Sequence, residues 1–275
     1  MLSSIAPTLA ISNKSPASDT PKHRPAWVDE TGAAEISIGT ILVARDGRST
    51  PPDKPQGWTA STLAAAEVIL ASEEPGPITA TYVAATAGLS IGAATKALRL
   101  LMDEGHIAAS ATRGPRSARR IANRDRLLAA YADAADALRR HLSLQVAVLG
   151  RDLAAEIMKI GEVWDRQDMA SAATGTLAAD TLAPFLTASG TAVVYVDAST
   201  IAELEHVARI AQLDPIDGGR LTLAPFPTSA SRTLSREVDG LMVAPWPRVY
   251  ADLRTVGVRG EEAAEHLKEV IDRGR

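Results

Sequence analysis

The segment from residue 78 to residue 121 constrains the fold of this chain more than any other part of the sequence. It reads ITATYVAATAGLS, then IGAATKALRLLMDEG, then HIAASATRGPRSARRIA. Ala84 is small enough for two helices to approach closely, and Gly88 tolerates the left-handed backbone of a tight turn. Apolar residues fall where two crossed helices pack against each other, at Val83, Leu89, Leu98 and Leu101. The pattern predicts a helix-turn-helix followed by a two-stranded wing.

Capping residues predict where the helices of this segment and its flanks begin. Ser, Thr and Asn side chains accept hydrogen bonds from the free backbone N–H groups of a first helical turn. The expected caps are Thr59 or Ser61, Thr79, Ser90 and Asn123. The helix after Ser90 is expected to run to Glu104 and to stop at Gly105.

Positive charge is concentrated in the same region of an acidic protein. The formal net charge of the 275 residues is −4, yet residues 91–140 hold ten Lys or Arg against five Asp or Glu, a net of +5. The remainder therefore carries −9 by subtraction. Four arginines without an intervening acid, Arg113, Arg116, Arg119 and Arg120, repel one another unless a polyanion is near. Local rather than overall charge predicts binding to double-stranded DNA.

The third helix and the wing supply the candidate DNA-contacting residues. The amino-terminal part of such a helix enters the major groove, while wing arginines track the phosphate backbone or an adjacent minor groove. The predicted contacts are Ser90, Gly92, Thr95, Lys96, Arg99, Arg113, Arg116, Arg119 and Arg120. The alternative is a helical protein-binding module with a solvated basic loop. The arginine spacing of the wing favours DNA.

Strands and helices alternate after residue 123. Strands are predicted at 142–149, 191–197, 220–226 and 240–245, and the stretch 171–186 is predicted to be helical. Ser199 is expected to cap the helix after the second of these strands, and a loop is expected after residue 226. The fold class is therefore α+β (α/β), with an N-terminal winged helix-turn-helix domain followed by an α/β domain with a mixed sheet.

Three regions are predicted along the chain. Residues 1–57 combine a mobile start (1–26), two or three short strands (27–47) and a proline-rich linker (49–57). Residues 58–122 form the winged helix-turn-helix, and residues 123–275 form the α/β domain. The chain has no cysteine and no apolar run near the ~20 residues of a membrane helix, and the composition of its first residues leads us to expect no secretion signal. These features predict a cytoplasmic protein with no membrane association.

Residue spacing offers little support for an enzyme. The histidines are scattered, no metal-ligand spacing occurs, and no nucleophile elbow or phosphate-loop motif is present. Asp180, Asp197 and Asp252 could gather around a metal, and Asp197 is the best placed because it follows a strand. A turn or cap at Asp197 and an internal pairing of Asp252 are the simpler interpretations. We therefore expect no catalytic residues, no metal and no cofactor.

Two stretches of the chain carry a family resemblance. One is the predicted helix-turn-helix with the RDRLLAAY helix after it, and the other is MVAPWPRVYADLRTVGVRGEEAAEHLKEVI at 242–271. Both resemble the AbiEi-type antitoxins of type IV toxin–antitoxin (abortive infection) systems. The second stretch matches the closing signature of the family at Pro245, Tyr250, Asp252, Leu253, Gly257, Gly260, Glu261, Glu262, Ala263, Ala264, Glu265 and Leu267. It departs from that signature at Ala251 and at Trp246–Arg248.

The resemblance implies a transcriptional autoregulator. It would bind inverted repeats at its own promoter, as a monomer or homodimer, and would counteract a nucleotidyltransferase-like toxin. Two alternatives stay open from the residues themselves. One is a one-component regulator whose α/β domain senses a small molecule, and the other is a nucleotidyl-transfer enzyme with a DNA-docking module.

Overall fold

A computed structural model describes residues 27–28, 34–38, 41–45, 57–72, 76–109, 119–139, 141–184 and 190–274. The predicted mobile start at 1–26 and almost all of the predicted linker at 49–57 lie outside these residues. The chain divides into two compact units, Met1–Gly57 and Trp58–Arg275. The predicted division between residues 122 and 123 falls inside the second unit. Over the described residues the fold is mixed α+β, with helices and both parallel and antiparallel strand pairs.

The first unit contains a small antiparallel sheet. Its strands are β1 (Trp27–Val28), β2 (Ala34–Ile38) and β3 (Ile41–Arg45), in that order. β2 and β3 pair over their whole length, from Ala34 opposite Arg45 to Ile38 opposite Ile41. The short strands predicted within 27–47 are confirmed.

The second unit begins with helices whose starts follow the capping residues. They are α1 (Ala60–Ala71), α2 (Ala80–Ala87), α3 (Ile91–Asp103) and, after the strand pair β4 (Ile107–Ala109) and β5 (Arg119–Ile121), α4 (Arg124–Ala137). The side chains of Thr59, Thr79, Ser90 and Asn123 each accept a backbone hydrogen bond from the first turn of the following helix. These caps are as predicted, with Thr59 rather than Ser61 at α1.

The rest of the second unit is a mixed sheet covered on both faces. Its strands are β6 (Leu144–Val146), β7 (Ser171–Thr174), β8 (Ala192–Val196), β9 (Leu221–Pro225), β10 (Arg236–Val238) and β11 (Leu241–Val243), in the order β10-β11-β7-β8-β9-β6. Its helices are α5 (Leu153–Asp165), α6 (Gly175–Leu182), α7 (Ile201–Ile210), α8 (Ser229–Thr233), α9 (Trp246–Leu253) and α10 (Val258–Arg273). Helices α5 and α7 pack against the sheet, and α6 and α9 contact it as well.

Three local predictions for this half are wrong. Residues 171–174 form the central strand β7, not the start of a helix, and the chain changes direction at Gly175, the first residue of α6, which has a φ of 64°. The cap of α7 is Thr200, because Ser199 instead donates both its N–H and its hydroxyl to the Glu203 carboxylate. The predicted loop after residue 226 contains α8 and β10.

Helix α1 is buried on every side. All residues from Thr62 to Leu70 are buried, including the carboxylate of Glu67. A helix surrounded in this way lies in the middle of a core rather than at its edge. The contacts of α1 reach α2, α3, α4, α8 and α9, so the helices before residue 122 and the α/β region share one hydrophobic core. Among the described residues no helix is long and apolar enough to cross a membrane.

Candidate nucleic-acid interface

The turn between α2 and α3 is tight and is held from outside. Gly88 ends α2 in the left-handed conformation, and the N–H of Leu89 donates to the carbonyl of Ala84 at 2.9 Å. The hydroxyl of Thr233, at the end of α8, donates to the carbonyl of Thr86 at 2.7 Å. The orientation of α3 is therefore fixed both by its own turn and by the α/β region.

Helix α3 has one buried face and one exposed face. Its buried residues are Ala94, Ala97, Leu98 and Leu101. The opposite face exposes Gly92, Thr95, Lys96 and Arg99, as predicted. Three- and four-residue spacing keeps each set on one side of the helix. The exposed face of α3 thus presents two cationic side chains, one hydroxyl and the backbone of Gly92 to solvent.

The two hydroxyl groups on this helix already have structural roles. Ser90 accepts a hydrogen bond from the N–H of Ala93 at 3.2 Å, and Thr95 donates its hydroxyl hydrogen to the carbonyl of Ile91 at 2.8 Å. A hydroxyl has one donor and two acceptor positions. Ser90 therefore retains its hydrogen for a phosphate or base acceptor, whereas Thr95 retains acceptor capacity.

The arginines of β5 point in different directions. Arg120 is paired with Ala108 and Arg119 with Ala109, in antiparallel register. Successive side chains of a strand lie on opposite faces, and accordingly Arg120 is exposed while Arg119 is half-buried. The backbone of Arg119 also exchanges two hydrogen bonds with Ile78, which ties β5 to the start of α2. The other two predicted arginines, Arg113 and Arg116, lie outside the described residues.

The acidic side chains closest to these cations along α3 lie at its carboxyl-terminal end, where the exposed Asp103 follows Arg99 by one turn. Of the described residues, no carboxylate forms an ion pair with Lys96, Arg99, Arg119 or Arg120. At the far end of α3, the carboxylate of Glu104 accepts a hydrogen bond from the indole of Trp58 at 2.9 Å and lies 3.2 Å from His106. Burial lowers the pKa of His106, although the neighbouring Glu104 opposes this shift. The positive half of α3 is therefore available to an anionic partner.

Ile91 is a surface residue that the sequence pattern does not single out. It is the first residue of α3, and 60% of it is exposed although it is large and apolar. Apolar groups in this position can contact the methyl group of thymine in the major groove. The one feature of the sequence that points to exposure of Ile91 is its position directly after the Ser90 cap. A side chain at that position lies outside the contact between packed helices.

Two of the three aspartates considered for metal binding have other partners. Asp197 forms two hydrogen bonds with the Arg232 guanidinium, at 2.7 and 2.9 Å, and accepts the N–H of Ala170. Asp252 is buried and paired with Arg248, which confirms the prediction that it pairs within the fold. In the described part of the chain, no group of three or more His, Asp or Glu side chains is placed to hold a metal ion.

The chain matches no protein-family model, no curated protein and no solved structure.

Proposed function

We propose that residues 58–122 form a winged helix-turn-helix that binds double-stranded DNA. The observation that carries this proposal is the exposed face of α3, where Lys96 and Arg99 lack acidic partners among the described residues in a protein of net charge −4. The antiparallel β4–β5 pair brings Arg120 to the surface of the same module. Counterion release from phosphates provides the affinity for such a surface.

Each part of this surface has a distinct role in the proposed complex. The amino-terminal half of α3 enters the major groove, with Ile91 and Thr95 against base edges. Lys96 and Arg99 bind phosphates or guanine edges. The arginines of the wing follow the adjacent backbone and supply affinity without sequence preference.

The contribution of α3 can be tested with a matched pair of double variants. Lys96→Ala with Arg99→Ala removes two cations from the proposed interface, while Lys159→Ala with Arg166→Ala removes the same charges from two exposed positions, one in the middle of α5 and one directly after it. Binding to the DNA upstream of the protein's own gene is measured by fluorescence anisotropy over a range of salt. We expect the first pair to weaken binding at least tenfold and to reduce the salt slope by about 0.9 for each phosphate that is no longer neutralised. Equal affinities for the two double variants would argue against the proposal.

We further propose that this protein is the antitoxin of a type IV toxin–antitoxin system and represses its own operon. The support is the resemblance of residues 242–271 to the closing signature of AbiEi-type antitoxins. The expected partners are inverted repeats at the promoter, bound by a monomer or a homodimer, and a nucleotidyltransferase-like toxin encoded by a neighbouring gene. The proposed role is regulatory, with no catalysis and no cofactor.

Growth of a host that expresses the neighbouring gene tests the antitoxin role. We expect growth to stop when that gene is expressed alone and to recover when this chain is co-expressed. The Lys96→Ala, Arg99→Ala variant shows whether neutralisation of the toxin needs DNA binding. It should still rescue growth if DNA binding is not needed, and it should fail to do so if DNA binding is needed. A neighbouring gene that is harmless on its own would contradict the antitoxin assignment and leave the DNA-binding proposal intact.

A second candidate function is a one-component regulator whose α/β region senses a small molecule. The observation in its favour is a cavity of about 470 Å³ between the sheet and helices α1, α4 and α9. Its volume falls within the range of small-molecule sites.

A further inference from the structure

The cavity beside the sheet combines an apolar wall with buried charge. Its floor is formed by alternate residues of β8 and β9, namely Val193, Tyr195, Thr222 and Ala224. Leu63 of α1 and Pro227 add apolar surface, and Arg248 and Asp252 of α9 line the cavity although both are buried. An apolar pocket with a few converging polar groups is the usual form of a ligand site.

The negative charge in this cavity is fully engaged by the protein. One oxygen of Asp252 accepts hydrogen bonds from Thr174 and from Tyr195, each at 2.6 Å, and from Arg248 Nε at 3.1 Å. Its other oxygen binds the second guanidinium nitrogen of Arg248. Burial alone would raise the pKa of Asp252, but Arg248 and the two hydroxyl donors hold it below its ordinary value. Asp252 is therefore an anion that needs no further partner.

A second arginine makes the lining positive overall. Arg139 lies 3.7 Å from Asp252 and donates to the hydroxyl of Thr255 at 3.1 Å. The acid nearest to it, Asp136 at 3.3 Å, is 63% exposed and does not line the cavity, so this pair adds little. Among the arginines and acids that line the cavity, two guanidinium groups face one carboxylate, a sum of +1.

The cavity also adjoins the connection to the proposed DNA-binding helices. Pro227 lines the cavity and directly precedes Thr228, the cap of α8. Thr228 and Ser231 donate their hydroxyl hydrogens to the buried carboxylate of Glu67 in α1, each at 2.7 Å. The end of α8 contacts the α2–α3 turn, where Thr233 binds the carbonyl of Thr86. A movement of Pro227 would therefore be transmitted to the turn that orients α3.

We infer that this cavity binds a small organic anion, a carboxylate or phosphate monoester on a compact apolar body, and that its occupancy changes DNA affinity through α8. The coupling part of this inference rests on the proposed DNA-binding function, whereas the binding part does not. The anionic group would lie near Arg139, and the apolar body would lie against the floor of β8 and β9.

Isothermal titration calorimetry of the full chain tests binding without DNA. The probes are benzoate and phenyl phosphate, which distinguish the two anionic groups, with benzyl alcohol as the neutral control. We expect saturable binding of at least one anion and none of the alcohol. Ala224→Leu fills the cavity and should abolish binding, whereas Ala129→Leu, on the exposed side of α4, should not change it.

Charge substitutions test the role of the arginine. Arg139→Gln should weaken binding about tenfold or more, as expected for the loss of one charge-assisted hydrogen bond. Arg254→Gln is the matched control, because Arg254 is similarly exposed but does not line the cavity. Anion binding that survives Ala224→Leu, equal binding of benzyl alcohol, or no saturable binding of either anion at millimolar concentration would overturn the inference.

The coupling is measured as the affinity for the upstream DNA with and without the bound anion. A change of about fivefold or more, absent in Ala224→Leu, is expected for linked sites. Unchanged DNA affinity at saturating anion would overturn the coupling and leave the ligand site standing. If the protein bound no DNA at all, the proposed function would fail while the calorimetric result would still decide the ligand site.

Discussion

The buried carboxylate of Glu67 predicts a specific dependence of stability on pH. It lies in α1 with no exposed surface, and its two oxygens accept hydrogen bonds from Thr228 and Ser231. Burial raises its pKa from an ordinary 4.5 to about 7, and the hydrogen bonds only partly oppose this shift. Between these two values the folded protein holds a proton that the unfolded chain has lost. The free energy of unfolding therefore falls as pH rises through this window and levels off above it.

The size of the effect follows from the two pKa values. One pKa unit corresponds to about 1.36 kcal/mol, so the rise from 4.5 to about 7 is worth about 3 kcal/mol in full. Between pH 5 and pH 8 the protein should lose about 2–3 kcal/mol of stability from this group alone. Glu67→Gln removes the titration and keeps the shape, because the amide can accept from one hydroxyl and donate to the other.

Urea unfolding at pH 5 and pH 8 measures this difference. We expect Glu67→Gln to have about the same free energy of unfolding as the wild type at pH 5. At pH 8 its free energy of unfolding should exceed that of the wild type by about 2 kcal/mol or more. Glu205→Gln, on the exposed face of α7, controls for the loss of one carboxylate and should follow the wild type. If Glu67→Gln lost as much stability between pH 5 and pH 8 as the wild type, titration of Glu67 could not be the cause of the loss.

Three further substitutions test individual interactions by urea unfolding at pH 7. Asp252→Asn leaves the Arg248 guanidinium buried without its counterion and should cost about 3–5 kcal/mol; a cost below about 1 kcal/mol would show that the pair is not desolvated. Tyr131→Phe should change the free energy of unfolding by less than about 1 kcal/mol, because the buried hydroxyl of Tyr131 has no hydrogen-bond partner among the described residues. A large loss of stability would indicate that this hydroxyl has a bound partner. Gly88→Ala should cost about 1–2 kcal/mol because of its positive φ. An added Cβ would meet no clash, since its nearest neighbour is 3.9 Å away. No loss of stability would mean that the turn can relax.

Local features of this fold can be predicted from the sequence because their causes are local. The Thr79 and Ser90 caps, the left-handed Gly88 and the two faces of α3 each depend on residues within one or two turns of helix. The strand at 192–196 is equally predictable from its run of β-branched residues. The exposed cations of α3 follow from the same periodicity, which is why this part of the candidate site is visible in the sequence.

Other features depend on distant residues and cannot be predicted in this way. Strand β7 is short and rich in alanine, which favours helix, and it is extended because it pairs with both β8 and β11. The burial of Glu67 in α1 depends on Thr228 and Ser231, which cap and begin α8 and are remote in sequence. The cavity likewise collects residues from helices and strands that are remote in sequence. Tertiary contacts decide these cases.

The proposal that the arginine-rich wing and α3 bind DNA is tested by one quadruple variant, in which Arg113, Arg116, Arg119 and Arg120 are all changed to Ala. The quantity measured is its affinity for the upstream DNA. The control removes the same charge elsewhere, from the exposed Arg151, Arg166, Arg209 and Arg259. We predict that the wing variant binds at least tenfold more weakly and that its salt slope falls by about 0.9 for each phosphate that it no longer neutralises, while the control keeps both. Wild-type affinity and salt slope in the wing variant would contradict the claim.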